Sequence, residues 1–348
     1  MHDVILIHLT KISVSSLEKV LNSIFLGLVM ICLGIESTAH TFGAGLVDSN
    51  GKIISNVKDM YRPPAGWGID PSKAKQHHID VADKIISEAL VEKPDMIAYA
   101  AGPGLPPCLK IGRDKAVEYA KKFNIPIVPV NHCIAHLEIG KLLANFKDPV
   151  MLYVSGGNTQ VIAFEAGRYR VFGETEDIGV GNLLDAFGRA AKIDFPAGPK
   201  IEELAKKGKY IELPYSVKGM DVTFSGIKTK LEKMIDKYPI EDLCYSLQET
   251  CFAMLVEVTE RAMAHCQKNE LILTGGVAAN KRLAEMCAIM CKERDGKFFQ
   301  VPIQYAGDQG AMIAWNGILA KDSATKDYSN SEINSNWRTD EVDISWKS

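Results

Sequence analysis

The chain has 348 residues, 47% of them apolar, and a formal net charge of −3, enough to bury a large core and to divide into two domains. That charge excludes a global basic field able to hold nucleic acid unaided, so such a partner requires a local patch or a helper subunit. The eight cysteines include no C-x-x-C pair, which excludes a zinc ribbon and a thioredoxin motif and fits reduced thiols in a cytoplasmic protein.

Residues 1–29 are apolar but carry Lys11, Glu18 and Lys19. The uncharged stretch 20–35 falls short of the ~20 residues a membrane span needs, so no membrane partner is expected. A secretory signal would be cut inside what reads as the first core strand. This segment reads as an extension of doubtful structure, with Met30 a natural start for the folded chain.

ICLGIESTAHTFGAGLVDSNGKII (31–54) is an apolar run, a small polar turn, a second strand, a Gly-containing turn and a short third strand. MLYVSGGNTQVIAFEAGRYRVFG (151–173) repeats that plan about 120 residues later. Helix and strand patterns follow each copy, which points to a duplicated α/β domain with a cleft between its halves. The expected division is 30–149, 150–322 and a tail over 323–348. In the second copy, Ser155, Gly156, Gly157 and Asn158 allow close backbone approach to an anion. One such hairpin is more often only a turn. LILTGGVAANKRL (271–283) adds a buried strand, Thr-Gly-Gly and a helix beginning near Asn280, a ready site for a nucleotide. Together these features describe the actin/hexokinase/Hsp70-like architecture, with nucleotide in the interdomain cleft.

Between the copies lies VNHCIAHLEIG (130–140). His132 and His136 are one helical turn apart and share a face that continues through Ile139 and Leu143, so it is expected to point inward. The spacing alone leaves open whether they are metal ligands or capping and core histidines. Cys133 lies about 100° away round the helix and reads as a packed thiol. The Glu of an H-E-x-x-H protease helix is absent, and Glu138 falls on the wrong face to replace it. His77 and His78 read as a helix surface or domain contact. Glu36 reads equally as a cleft residue or as a turn residue capping Thr38 or His40.

YAAGPGLPPCLKIG (99–112), VNHCIAHLEIG, LYVSGGNTQVI (152–162), VKGMDVTFSGIKT (217–229), LTGGVAANKRL and NWRTDEVDISW (336–346) together resemble one family. It is the tRNA threonylcarbamoyladenosine synthase family in its archaeal and eukaryotic branch, the catalytic subunit of the KEOPS complex, whose older name is O-sialoglycoprotein endopeptidase. The resemblance spans about 30–346, and KGMDVTFSG is what points to that branch. It implies transfer of a threonylcarbamoyl group from threonylcarbamoyl-AMP to N6 of adenosine 37 in tRNAs reading codons that begin with A, with release of AMP. It implies a metal held by His132, His136, Tyr153 and Asp308. It places an adenine nucleotide (threonylcarbamoyl-AMP, ATP or AMP) on Tyr153, Val154, Ser155, Gly156, Gly157, Asp185, Gly198, Glu202 and Asn280. The partners it implies are tRNA, a kinase-like subunit and a small dimerisation subunit.

Two positions depart from the family pattern. Gln309 stands where Asn is usual after the metal-binding Asp, and Pro106 replaces a glycine. Gln309 bears on how Asp308 is oriented; Pro106 stiffens its loop and removes an N–H donor. The donor set suits one iron ion, with zinc the alternative, and a phenolate leans the site toward iron. A hydrolase or kinase of the same architecture would need magnesium, which a histidine–tyrosine site serves poorly. A nucleotide-binding scaffold is a further alternative, and a metallopeptidase lacks its base. Lys206, Lys207, Lys209, Lys228 and Lys230 are the candidate local patch for tRNA phosphates.

Overall fold

The computed structural model describes residues 29–63 and 68–346. The expectation for the extension lies outside the described residues except at its last position. In chain order the strands are β1 (Ile31–Glu36), β2 (Thr41–Asp48), β3 (Ile53–Met60), β4 (Met96–Gly102), β5 (Ile127–Asn131), β6 (Val150–Val154), β7 (Thr159–Glu165), β8 (Arg168–Glu174), β9 (Val217–Lys218), β10 (Asp221–Val222), β11 (Glu270–Thr274) and β12 (Lys297–Gln300). The helices are α1 (Pro71–Ala89), α2 (Pro106–Phe123), α3 (His132–Ala144), α4 (Val180–Ala190), α5 (Ala197–Ala205), α6 (Ser225–Glu232), α7 (Ile240–His265), α8 (Lys281–Glu293), α9 (Ile303–Ala306) and α10 (Gly310–Leu319).

One five-stranded sheet runs β3-β2-β1-β4-β5 and the other runs β12-β11-β6-β7-β8. Read from its other edge, the second sheet has the same plan as the first. Each is an antiparallel three-strand meander with two parallel strands added beside its first strand. The repeat seen in 31–54 and 151–173 is therefore a repeat of topology. In the meanders β1, β2 and β6 are buried almost throughout and exposed residues appear only on the outer strands β3 and β8, while the parallel strands β4, β5 and β11 are mostly apolar because helices cover both faces.

The first sheet buries Leu33, Ile35 and Tyr99 against α1 and α2 on one face. On its other face Cys32, Ala98 and Val130 meet Ala135 and Ile139 of α3 and Ala311, Met312 and Ala314 of α10. The second sheet packs Leu152, Val154 and Leu271 against α4, α5, α7 and α8. Its opposite face, with Met151, Tyr153 and Ile272, receives Cys133, Ile134 and Leu137 of α3. Helix α3 thus lies between the two sheets, and every residue from His132 to Gly140 is buried. The single inward face expected through Ile139 and Leu143 does not exist: this helix is inward all round, so periodicity carries no information about the histidines.

Helix α10 follows the second half in sequence yet packs on β1 and β2 of the first sheet. Backbone approaches backbone there: a Cβ on Gly34 would lie 2.1 Å from Ala314 N and 2.2 Å from Gly310 O. Pro106 occupies the first turn of α2, where an N–H has no intrahelical acceptor, so the departure from the usual glycine costs no helix hydrogen bond. His78 is buried and packs edge-on against Phe42, ring centroids 5.5 Å apart, so it is a core residue rather than a helix-surface one.

Candidate metal and nucleotide cleft

Asn131 ends β5 and caps α3, its Oδ1 accepting from Cys133 N at 2.9 Å and Ile134 N at 3.1 Å. This strand-to-helix junction puts His132 in the first turn of α3, with His136 one turn on. Their rings are nearly perpendicular, with centroids 4.7 Å apart. Asp308 arrives on the loop before α10, with Oδ1 3.5 Å from His132 Nε2 and 3.3 Å from His136 Nε2. One ligand atom from each of the three lies within 4.8 Å of the others. Bonds of ~2.0–2.1 Å to a tetrahedral ion put ligand atoms roughly 3.3 Å apart, close to the two distances from Asp308 to the histidines.

Glu36 settles the orientation of His132. Its Oε2 lies 2.9 Å from His132 Nδ1, while its Oε1 accepts from Thr38 N at 2.7 Å and Thr38 Oγ1 at 2.5 Å. Both readings of Glu36 hold at once: it shapes the turn and faces the cleft. A proton on Nδ1 donated to Glu36 leaves the Nε2 lone pair for an ion. Burial alone would lower the basicity of His132, but the charge and hydrogen bond of Glu36, with Asp308, outweigh it and raise its pKa to about 9. Burial lowers the pKa of His136, which favours the neutral ligating form. Burial opposes ionisation of Asp308, but the two histidines hold its carboxyl below the usual range.

Tyr153, on β6, lies next to His136, ring centroids 5.1 Å apart at 33°. Burial and then the nearby Cys133 and Asp308 raise its pKa well above that of a free phenol, so without a cation it is a neutral phenol. A metal would reverse that balance. Cys133 is buried in the second-sheet core with its thiol pKa pushed up to about 12, first by burial. Glu138 is equally removed from the site, accepting from Tyr169 Oη at 2.6 Å and Trp346 Nε1 at 3.3 Å.

A cavity of about 510 Å³ contains His132, Asp308, Tyr153 and the hairpin Ser155–Asn158. The hairpin is closed by Ser155 N to Asn158 O at 2.8 Å and Asn158 N to Ser155 Oγ at 3.0 Å. The N–H groups of Gly156 and Gly157 take no part in that closure. Val154 is buried, so only its backbone can serve a ligand. Asp185 and Asn182 line a neighbouring cavity of about 350 Å³ that shares Asn182 and Ile69 with the first. Asp185 Oδ1 accepts from Ala197 N at 2.8 Å, and burial raises its pKa. A Cβ at Gly198 would meet only Leu184 Cδ1, at 3.8 Å, so the backbone there is open to a ligand. Glu202 lines a third cavity of about 570 Å³ and accepts from Lys281 N at 3.0 Å. Asn280 caps α8, accepting from Arg282 N and Leu283 N, and donates to Gln248 Oε1 at 2.8 Å. The structure therefore gathers His132, Tyr153, Asp308 and the glycine hairpin around one cavity, with His136 buried beside Asp308. Asp185 lies on the neighbouring cavity, whereas Glu202 lines a separate one and the Asn280 side chain is spent on its cap and on Gln248.

Gln309 caps α10, its Oε1 accepting from Met312 N at 3.0 Å, and its Nε2 is buried without a partner. It orients Asp308 by fixing the start of the helix, not by bonding to the carboxylate. The KGMDVTFSG segment is held by Asp177, whose carboxylate accepts from Phe224 N at 2.9 Å, Ser225 N at 2.8 Å and Ile178 N at 2.6 Å. No motif signalled this clamp in the sequence. Desolvation works against ionisation, but these N–H groups prevail and hold the Asp177 carboxyl at about 2. Its folded pKa is depressed, so its contribution is present above the unfolded value near ~3.9 and is lost as pH falls toward 2. Urea midpoints of wild type and Asp177→Ala are expected to differ at pH 5 and to converge between about pH 4 and 2. A constant gap would deny the clamp its charge.

The pairing of two identical sheet plans around a cleft defines a two-lobed α/β protein of the actin/hexokinase/Hsp70-like class. The solved structures agree on that fold. Full-length HypF superposes with a TM-score of 0.58 at 11% identity, covering 84% of this chain and 55% of that one. Component A of the (R)-2-hydroxyglutaryl-CoA dehydratase of Acidaminococcus fermentans gives 0.51 at 12% identity, covering 83% and 99%. In sequence, residues 51–315 match the tRNA N6-adenosine threonylcarbamoyltransferase family. A tRNA N6-adenosine threonylcarbamoyltransferase of Methanopyrus kandleri is 48% identical over 91% of this chain and 96% of its own length. That of Thermofilum pendens is 51% identical over 91% and 97%. A probable bifunctional tRNA threonylcarbamoyladenosine biosynthesis protein of Methanocaldococcus jannaschii is 50% identical, and this chain covers 60% of its length. The chain belongs to the tRNA N6-adenosine threonylcarbamoyltransferase family, and its activity is threonylcarbamoyl transfer to adenosine in tRNA. Among the described residues, no helix is long and apolar enough to cross a membrane.

Proposed function

We propose that the 510 Å³ cavity is the transfer site, taking threonylcarbamoyl-AMP as donor and adenosine 37 of tRNA as acceptor. The observation that carries this reading is the convergence of His132, His136 and Asp308 beside the Gly156–Gly157 hairpin. His132, His136, Tyr153 and Asp308 would hold one metal ion, iron by preference and zinc as the alternative, and Glu36 orients the first of them. When bound, the ion supplies positive charge beside the acyl phosphate. The N–H groups of Gly156 and Gly157 hold the phosphate from the other side. Asp185, Gly198, Glu202 and Asn280 would receive the nucleoside.

The acceptor explains this emphasis. An aromatic exocyclic amine has a delocalised lone pair and is a poor nucleophile, so the site works on the electrophile and on geometry. The N6 nitrogen attacks the carbamoyl carbon, the C–O bond to phosphate breaks, and AMP leaves with the electron pair. The N6 proton passes to a phosphate oxygen or to water. Adenosine 37 lies in a loop, already unpaired, which lowers the cost of presenting it. With a net charge of −3, tRNA affinity is shared with a kinase-like and a small dimerisation subunit in the cytoplasm. Lys206, Lys207, Lys209, Lys228 and Lys230 supply this chain's contribution.

The test is nucleoside analysis of tRNA incubated with the chain, those partner subunits and threonylcarbamoyl-AMP. Modified adenosine with equimolar AMP supports the reading. Turnover of ATP without modified tRNA would favour a hydrolase or kinase instead. Gly156→Val probes the hairpin separately. A Cβ at this position meets only Asn182 Oδ1, at 3.4 Å, so the fold tolerates it while the branched side chain blocks phosphate approach. Calorimetry is expected to show AMP affinity at least about tenfold weaker, with metal content unchanged. Unchanged AMP affinity would move the phosphate elsewhere.

A further inference from the structure

Lys58, on β3, is a residue that neither the motifs nor the metal site accounts for. Its side chain is exposed on the cleft side, where a lysine ordinarily samples solvent freely. Here its Nζ instead donates to the backbone carbonyl of Asp308 at 3.0 Å. Of the described residues lining the 510 Å³ cavity, it is the sole lysine or arginine. Burial lowers its pKa and the charges of Asp308 and Glu36 only partly offset that, yet no ion pair ties it to a carboxylate among the described residues. One of its three N–H donors is committed to a neutral carbonyl, and the others remain for a ligand. The tether also matters: the ammonium is fastened to the loop that carries Asp308, in the cavity that the Gly156–Gly157 hairpin also lines.

We propose that Lys58 binds an anionic oxygen of the acyl adenylate, a contact that rests on the transfer site proposed above. The donor has two such groups, the phosphate and the threonine carboxylate. If the phosphate is bound, the contact strengthens during the reaction. Cleavage of the C–O bond delivers an electron pair to the phosphate oxygen, and AMP leaves with one more negative charge than the phosphate carried in the anhydride. A fixed cation at that oxygen then favours departure.

The test uses the full-length, metal-loaded chain as wild type, Lys58→Met and Lys58→Arg, with calorimetry on two ligand pairs. AMP against adenosine reads the phosphate. A non-reactive sulfamoyl analogue of the donor against its threonine methyl ester reads the carboxylate. In Lys58→Met one of these two preferences is expected to fall by about tenfold or more, while Lys58→Arg keeps most of it. Metal per chain is expected to be equal in all three. The pair that collapses names the anion. If wild type shows both preferences and Lys58→Met retains both, Lys58 is not a ligand contact and the transfer site stands. Loss of metal from Lys58→Met would also overturn the assignment, making the lysine a support of Asp308. If wild type binds none of the four ligands, the transfer-site reading fails and takes the Lys58 contact with it.

Discussion

Replacing His132 or His136 by Ala is expected to remove the metal and the transferase activity together, while Cys133→Ala spares both. The histidine Nε2 atoms stand 3.5 and 3.3 Å from Asp308 Oδ1, the spacing of donors around a single ion. Changing a residue that merely orients a ligand typically costs about 10–100-fold in metal affinity. Removing a ligand costs more, so such variants are expected to emerge from purification with little metal. Glu36→Gln should fall between: Gln retains an acceptor for His132 Nδ1 but removes the charge. Cys133 packs with Ile134 and Leu137 against the second sheet, and its truncation costs roughly 1 kcal/mol of stability. Plasma emission on the purified variants reads metal per chain. Full occupancy in either histidine variant would refute the assignment, as would metal loss from Cys133→Ala alone.

Gly34→Ala is expected to destabilise the protein by roughly 3 kcal/mol and to lower metal occupancy, although residue 34 touches no proposed ligand. A methyl group at this position would sit 2.1 Å from Ala314 N and 2.2 Å from Gly310 O. Both are backbone atoms, so no side chain can swing aside and α10 must lift from β1. Asp308 lies just before that helix and would move with it. Urea denaturation with parallel metal analysis checks the pair of effects. Normal stability would show that α10 can shift freely; lost stability with full metal would show that Asp308 is positioned independently of the helix.

Much of this architecture is legible in the residues. The two meanders declare themselves through apolar runs broken by small polar and glycine turns, and their shared plan reappears as a shared sheet order. The Asn131 cap and the Thr-Gly-Gly turn mark the starts of α3 and α8. Tyr153 and Asp308 became metal candidates only through family motifs, since no local spacing joins them to His132. What periodicity could not reveal is α3 itself. A helix buried on every side has no face to detect, so Ile139 and Leu143 carry no sign of the histidines, which nonetheless both meet Asp308. The return of α10 to the first sheet was equally hidden, because sequence continuity assigned it to the second half. Glu36 looked ambiguous because one carboxylate does two jobs with its two oxygens.

That return has a consequence for biosynthesis. The last strand of the first sheet ends at Asn131, but α10, which covers part of one face, begins only at Gly310. Domains generally fold as units as the chain emerges from the ribosome, N-terminal first. Here the first lobe cannot finish in that order. Part of its apolar face stays open until nearly all of the second lobe has been made. Asp308 is delivered by the same late segment, so the cover of that face and the last metal donor arrive together.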